Sequence, residues 1–166
     1  VCGIGVANNG GGSDGQEYTF PAISVSAGDH ILVCRDSNAM ASYFDSCLVN
    51  FNLVIQEVSS SSTYAISQNG DDAIELFENG VVVETFGDIN VDGTGEPWEY
   101  TDSWAFKDMN GNWIYGGPNC TDGSTLTATS GCPYPICTPA PPPAMVNITF
   151  SFAVIFCKIF RLMVSI

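Results

Sequence analysis

The stretch Ala73-Ile74-Glu75-Leu76-Phe77-Glu78-Asn79-Gly80-Val81-Val82-Val83-Glu84-Thr85-Phe86 constrains this chain more than any other. Two runs of strand-forming residues flank Asn79-Gly80. A two-residue connection needs positive φ at both central positions, which Asn and Gly tolerate best. The pattern predicts an antiparallel hairpin with a type I′ turn. Ile74 and Leu76 share one face and are expected inside, with Glu75 and Glu78 turned to water.

The remaining segments repeat the theme on a shorter scale. Residues 18–21 and 30–34 read as strands separated by a turn at 26–29. Residues 35–50 read as a polar loop with a helical turn near Tyr43 and Phe44. Residues 51–58 form a further expected strand, followed by a serine-rich loop. Trp104-Ala105-Phe106 and Asn112-Trp113-Ile114-Tyr115 read as the last strands, joined near Asn110-Gly111. Before residue 138 no 12-residue window carries a helical stripe, so the expectation is an all-β fold.

Several of these segments together resemble the lamin-tail domain family, in its secreted branch. The resemblance rests on Tyr18-Thr19-Phe20-Pro21, on Ala27-Gly28-Asp29-His30-Ile31-Leu32-Val33-Cys34-Arg35, and on the Gly70–Gly87 hairpin. It continues through Gly93-Thr94-Gly95-Glu96-Pro97-Trp98-Glu99-Tyr100-Thr101-Asp102-Ser103-Trp104-Ala105-Phe106 and Gly116-Gly117-Pro118-Asn119. It implies an immunoglobulin-like β-sandwich over residues 1–137 that lacks the first strand or two of the family pattern. It also implies a non-catalytic role in binding, adhesion or attachment, with no catalytic residues to carry over. Microbial relatives of this kind are often joined to extracellular nucleases or other hydrolases. A second reading is therefore an accessory domain whose catalytic part lies outside this chain.

Charge narrows the partners. The chain carries 18 acidic and 4 basic residues, for a formal charge of −14. All the acids lie in residues 1–137, where Arg35 and Lys107 are the only bases. That field repels polyanions, so direct nucleic-acid binding is not expected. Calcium, cationic surfaces or no charged partner at all fit better, and the expected ligand is a protein or carbohydrate surface. Six of the seven cysteines precede residue 138. An even set in a loop-rich chain predicts a disulfide framework without free thiols and a secreted or cell-surface location. Cys34–Cys47, bracketing one loop, is the preferred pair. Asn119-Cys120-Thr121 and Asn147-Ile148-Thr149 fit glycosylation sequons and agree with that location.

Catalytic constellations are hard to assemble. His30 is the single histidine, no Gly-x-Ser-x-Gly elbow accompanies it, and a turn residue is the simpler reading. Asp71 and Asp72 are adjacent, so on a strand they point apart and do not share a proton. The glycines at 10–12 have no lysine beside them, which argues against a phosphate loop. Trp98, Tyr100, Trp104, Trp113 and Tyr115 could stack a sugar, but a sandwich needs such bulk for its core. No enzyme activity is expected. One motif is chemically specific: residues 88–99 match Asp-x-Asn-x-Asp-Gly with a glutamate at the twelfth position. The expected calcium ligands are Asp88, Asn90, Asp92, the Thr94 carbonyl and Glu99, with Gly93 permitting the turn. The competing reading is a solvated acidic turn.

After Cys137 the composition changes. Residues 138–144 read as a stiff proline-rich linker. Residues 145–166 are apolar but short of the roughly twenty residues that a bilayer demands. A marginal membrane anchor, a processed anchor signal and an artefactual extension all remain open readings of that segment.

Overall fold

The computed structural model describes residues 1–57, 67–108 and 110–138, and the backbone of residues 161–164. Residues 139–144 of the linker and most of the apolar segment lie outside these residues, as does Asn147.

Strands dominate, as the alternating pattern requires. The first sheet contains β1 (Cys2–Ala7), β2 (Tyr18–Thr19), β5 (Ala73–Glu78) and β6 (Val81–Phe86), in the order β2-β1-β5-β6, all antiparallel. The second contains β3 (His30–Cys34), β4 (Leu53–Gln56) and the backbone strand β9 (Arg161–Val164), in the order β4-β3-β9. Its pairings are parallel. A short antiparallel pair, β7 (Ala105–Lys107) and β8 (Trp113–Tyr115), completes the set.

The hairpin forms as expected: φ is 52° at Asn79 and 78° at Gly80. Ile74 and Leu76 are buried. Glu75 departs from the expectation and is only 4 % exposed. The reason lies across the sheet. Gly5 sits opposite Glu75 and Gly3 opposite Phe77. With no side chains at these two positions of β1, the loop over residues 11–17 closes directly against it. A Cβ on Gly5 would run into the Gly15 carbonyl. Under this loop the Ser13 hydroxyl donates to the Glu75 carboxylate.

A parallel pair such as β3–β4 cannot be joined by a tight turn and needs a crossover. Helix α1 (Ser37–Phe44) and the 3-10 turn Asp45–Asn50 supply it. The helix extends well past the single helical turn expected there. Asp36 caps its start, accepting from the Asn38 and Ala39 amides at 2.9 and 3.0 Å. Met40 and Phe44, one turn apart, are its buried residues.

Two cores hold the sheets. Ile4 and Leu76 of the first sheet meet Ile31, Val33 and Ile55 of the second. On the other face of β3, Leu32 and Cys34 join Met40, Phe44, Cys47, Phe51 and Tyr134. Phe44 is packed edge-on against Phe51 at 4.9 Å between ring centroids.

The disulfides correct the sequence expectation. Cys47 pairs with Cys137, and Cys120 with Cys132. Cys2 is also disulfide-bonded. Cys34 is a free, buried thiol, so neither the Cys34–Cys47 pair nor a framework without free thiols is formed. Cys34 lies within β3, where the pleat turns its sulfur toward the Ile55 carbonyl at 3.7 Å. The 3-10 turn Pro135–Cys137 returns beside Asp45–Asn50, tied by an Asn50 Nδ2–H bond to the Ile136 carbonyl of 2.7 Å. Cys137 therefore takes the Cys47 sulfur. Among the described residues, no helix is long and apolar enough to cross a membrane.

Candidate functional site

The acidic loop over residues 88–99 leaves the end of β6 and returns to the buried Tyr100. Its position is fixed by close backbone approach. The Gly93 amide donates to the Asp71 carbonyl at 2.9 Å. A Cβ on Gly93 would lie 2.6 Å from that oxygen and from the Trp98 ring. Gly93 is thus demanded by space. The positive φ in this loop belongs to Gly95, at 77°, inside a turn in which the Gly93 carbonyl accepts from the Glu96 amide at 2.9 Å. On the far side Gly12 donates to the Ile89 carbonyl at 2.8 Å, so the glycine-rich loop and the acidic loop support each other.

The three carboxylates among the expected calcium ligands accept from nearby amides. Asp88 Oδ1 accepts from the Asn90 amide at 2.9 Å. Asp92 Oδ1 accepts from the Thr94 amide at 2.9 Å. Glu99 Oε2 accepts from the Gly95 amide at 2.8 Å. The Thr94 hydroxyl donates to Asp71 Oδ2 at 3.0 Å. The Thr94 amide holds the Asp92 carboxyl below its ordinary range, because the hydrogen bond favours the charged form. The carboxylates therefore cap their own turns. Among the described residues, no three His, Cys, Asp or Glu side chains are grouped to hold a metal. Asp71 Oδ1 stands apart, buried beside the loop without a hydrogen-bond partner.

Asp72 is the residue that sequence reasoning undervalued. It is buried, not a solvated turn residue. Its two oxygens accept from the Asn9 amide at 2.8 Å and the Asn69 amide at 3.1 Å. Its carbonyl accepts from the Tyr100 hydroxyl at 3.0 Å. Burial, reinforced by the Asp72 and Asp71 charges, pushes that phenol far above its ordinary range. Asp71 and Asp72 do point to different partners, as their adjacency demands. The pattern Gly70-Asp71-Asp72 ahead of a strand was the available signal.

Tyr100 is buried, Trp98, Trp104 and Trp113 are half-buried against cores, and Tyr115 is exposed. Phe86 meets Trp113 edge-on at 4.9 Å and Tyr100 at 5.3 Å. Trp98 packs against the same cluster. Trp104 joins the Phe44 core and donates its indole N–H to the Cys132 carbonyl at 2.8 Å. His30 begins β3, half-buried, its amide bonded to Asn52 Oδ1 at 2.8 Å.

Compared with family models, with curated proteins and with solved structures, the chain matches none.

Proposed function

We propose that residues 1–137 form a non-catalytic module of immunoglobulin-like sandwich type, akin to lamin-tail domains, that mediates binding, adhesion or attachment at the cell surface or outside the cell. The sandwich reading is supported by the shared core of Ile4 and Leu76 with Ile31, Val33 and Ile55, which places two sheets face to face. The location is supported by two disulfides in a chain of this size, which fit an oxidising compartment. One observation carries the non-catalytic reading. The carboxylates that chemistry would draw on are committed to backbone amides: Asp72 to Asn9 and Asn69, Asp92 to Thr94, Glu99 to Gly95. They build loops instead of converging on a substrate. The test is saturable binding of the oxidised full chain to a panel of immobilised matrix proteins and glycans. Ester and phosphodiester hydrolysis are assayed on the same preparation. Binding without turnover supports the module. Turnover that His30→Ala abolishes would replace it with an enzyme.

The acidic loop is assigned one calcium ion within that reading. The observation in its favour is Asp71 Oδ1, buried and unpartnered beside Thr94. Oxygen donors of this kind suit a hard cation. Asp88, Asp92 and Glu99 would exchange their amide partners for the ion. Thermal melting in millimolar calcium is expected to exceed melting in chelator, and the double change Asp88→Ala, Asp92→Ala is expected to erase the difference. Equal melting of the unaltered chain in both buffers would leave only the self-capped turn.

A further inference from the structure

A cavity of about 170 Å³ opens at the C-terminal end of α1, away from the acidic loop. Tyr43, Phe44 and the Cys47–Cys137 disulfide wall it. Four oxygen-bearing side chains line it: the half-buried Tyr43, and Asp45, Ser46 and Asn50 at its exposed rim. The Asn50 Nδ2 group is spent on the Ile136 carbonyl at 2.7 Å and the Cys47 sulfur at 3.8 Å, which leaves its Oδ1 to accept. Neither the Asp45 carboxylate nor the Ser46 hydroxyl is hydrogen-bonded to another described residue. The lining thus offers acceptors in excess, one of them charged, beside aromatic rings. A positively charged group with several N–H donors complements that set.

Two further features agree. Asp45 has φ 48° and ψ −125°, a backbone conformation that glycine adopts readily and aspartate does not. A carboxylate is held there at a conformational cost that glycine would spare. The volume falls below the roughly 300 Å³ at which pockets begin to enclose drug-sized ligands, so it suits the end of a single side chain. A protein of net charge −14 also draws cations toward its surface.

We propose that this cavity binds a primary alkylammonium group, with Asp45 as its counter-ion and Ser46 and Asn50 as neutral acceptors. The group belongs either to a lysine side chain of a partner or to a free amine. The site rests on the binding-module reading for its biological source and not for its chemistry.

The test titrates the oxidised full chain with Nα-acetyl-lysine amide, with the uncharged Nα-acetyl-norleucine amide, and with putrescine. The lysine amide is expected to bind with a Kd on the order of 1 mM at low salt. The norleucine amide is expected to bind at least about tenfold more weakly, and 0.5 M salt to weaken the lysine amide several-fold. Asp45→Asn should abolish binding. Asp45→Gly should abolish it while raising the melting temperature, a paired signature that a purely structural Asp45 would not give. Tighter binding of the lysine amide than of putrescine points to a partner's side chain, and the reverse to a free diamine. Either order supports the site. Equal binding of the norleucine amide, or unchanged binding in both Asp45 variants, overturns it. Asp45→Asn that loses the lysine amide but keeps the matrix panel would support the site and leave the module reading intact, whereas Asp45→Asn and Asp45→Gly that keep the lysine amide overturn this inference alone.

Discussion

The two sides of this domain are fastened by different chemistry. Around β3, α1 and residues 120–137, sulfur and aromatic rings do the fastening. Cys47–Cys137 and Cys120–Cys132 close loops over a core of Phe44, Phe51 and Tyr134. Around the hairpin and its loops, carboxylates and glycines do most of it, beside a disulfide-bonded Cys2 at the start of β1. Asp72 gathers Asn9 and Asn69, Glu75 holds Ser13 beneath the glycine-rich loop, and Gly5 and Gly93 let backbone lie on backbone. Only the first kind of fastening answers to redox conditions. A chain with eighteen acids and only two bases before residue 138 has few ion pairs to draw on, and Lys107–Glu84 is the one formed among the described residues. Covalent staples and amide-capped carboxylates take that place.

The comparison breaks most visibly at the long disulfide. Cys47 and Cys137 are 90 residues apart. In the chain-entropy view, replacing both by Ala should cost about 4–5 kcal/mol in denaturant unfolding. The same change at Cys120 and Cys132, 12 residues apart, should cost about 3 kcal/mol. Equal costs for the two pairs would mean that native packing, not loop length, sets their worth.

On the carboxylate side, Asp72→Ala strands two backbone amides and should cost about 2–4 kcal/mol. Asp92→Ala, at an exposed position, should cost far less. If the two substitutions are equivalent, Asp72 is not the organiser of this side. Gly5→Ala drives a methyl group into the Gly15 carbonyl and should cost about 1–3 kcal/mol. Proteolysis should then cut residues 11–17 first. A silent Gly5→Ala would show that the loop does not need its close seat on β1.

The pH dependence is the smallest effect and carries two signs. Asp92 and Asp108 have folded values below the ordinary 3.8, each held there first by a backbone amide, of Thr94 and of Asn112. Their contribution is complete above 3.8 and fades as pH falls through the folded values. Glu17 runs the other way. Burial, partly offset by its bond from the Val6 amide, raises it above the ordinary 4.5. The native state there takes up its proton early, so stability rises slightly as pH falls through that raised value toward 4.5. Melting temperature should therefore be level or gently rising down to about pH 4.5 and should drop below about pH 3.8. A steady loss beginning near neutral pH would contradict these assignments.

Much of the β framework was legible because its signals are local. Asn79-Gly80 dictates its own turn, and the strands at 30–34, 73–86 and 112–115 are rich in β-branched and aromatic residues. What escaped depends on distant segments meeting. Glu75 is buried only because Gly3 and Gly5, some seventy residues earlier in the chain, admit a loop above it. Cys34 looks like half of a disulfide until β3 directs it into the core, while Cys47 meets a cysteine 90 residues on. Helix α1 has only eight residues, too few for a stripe, and its signal was the Asp36 cap. The spacing of Asp88, Asn90, Asp92 and Glu99 was readable. Their commitment to neighbouring amides was not, since Asx-type turns and calcium loops draw on the same residue types.

Amide hydrogen exchange of the full chain, with and without reductant at neutral pH, tests the division most directly. Reduction is expected to speed exchange in α1 and in residues 120–137 by at least about tenfold. Amides of β5, shielded between β1 and β6, should keep their protection. Loss of protection in β5 together with α1 would show a single cooperative unit and contradict the separate fastening of the two sides.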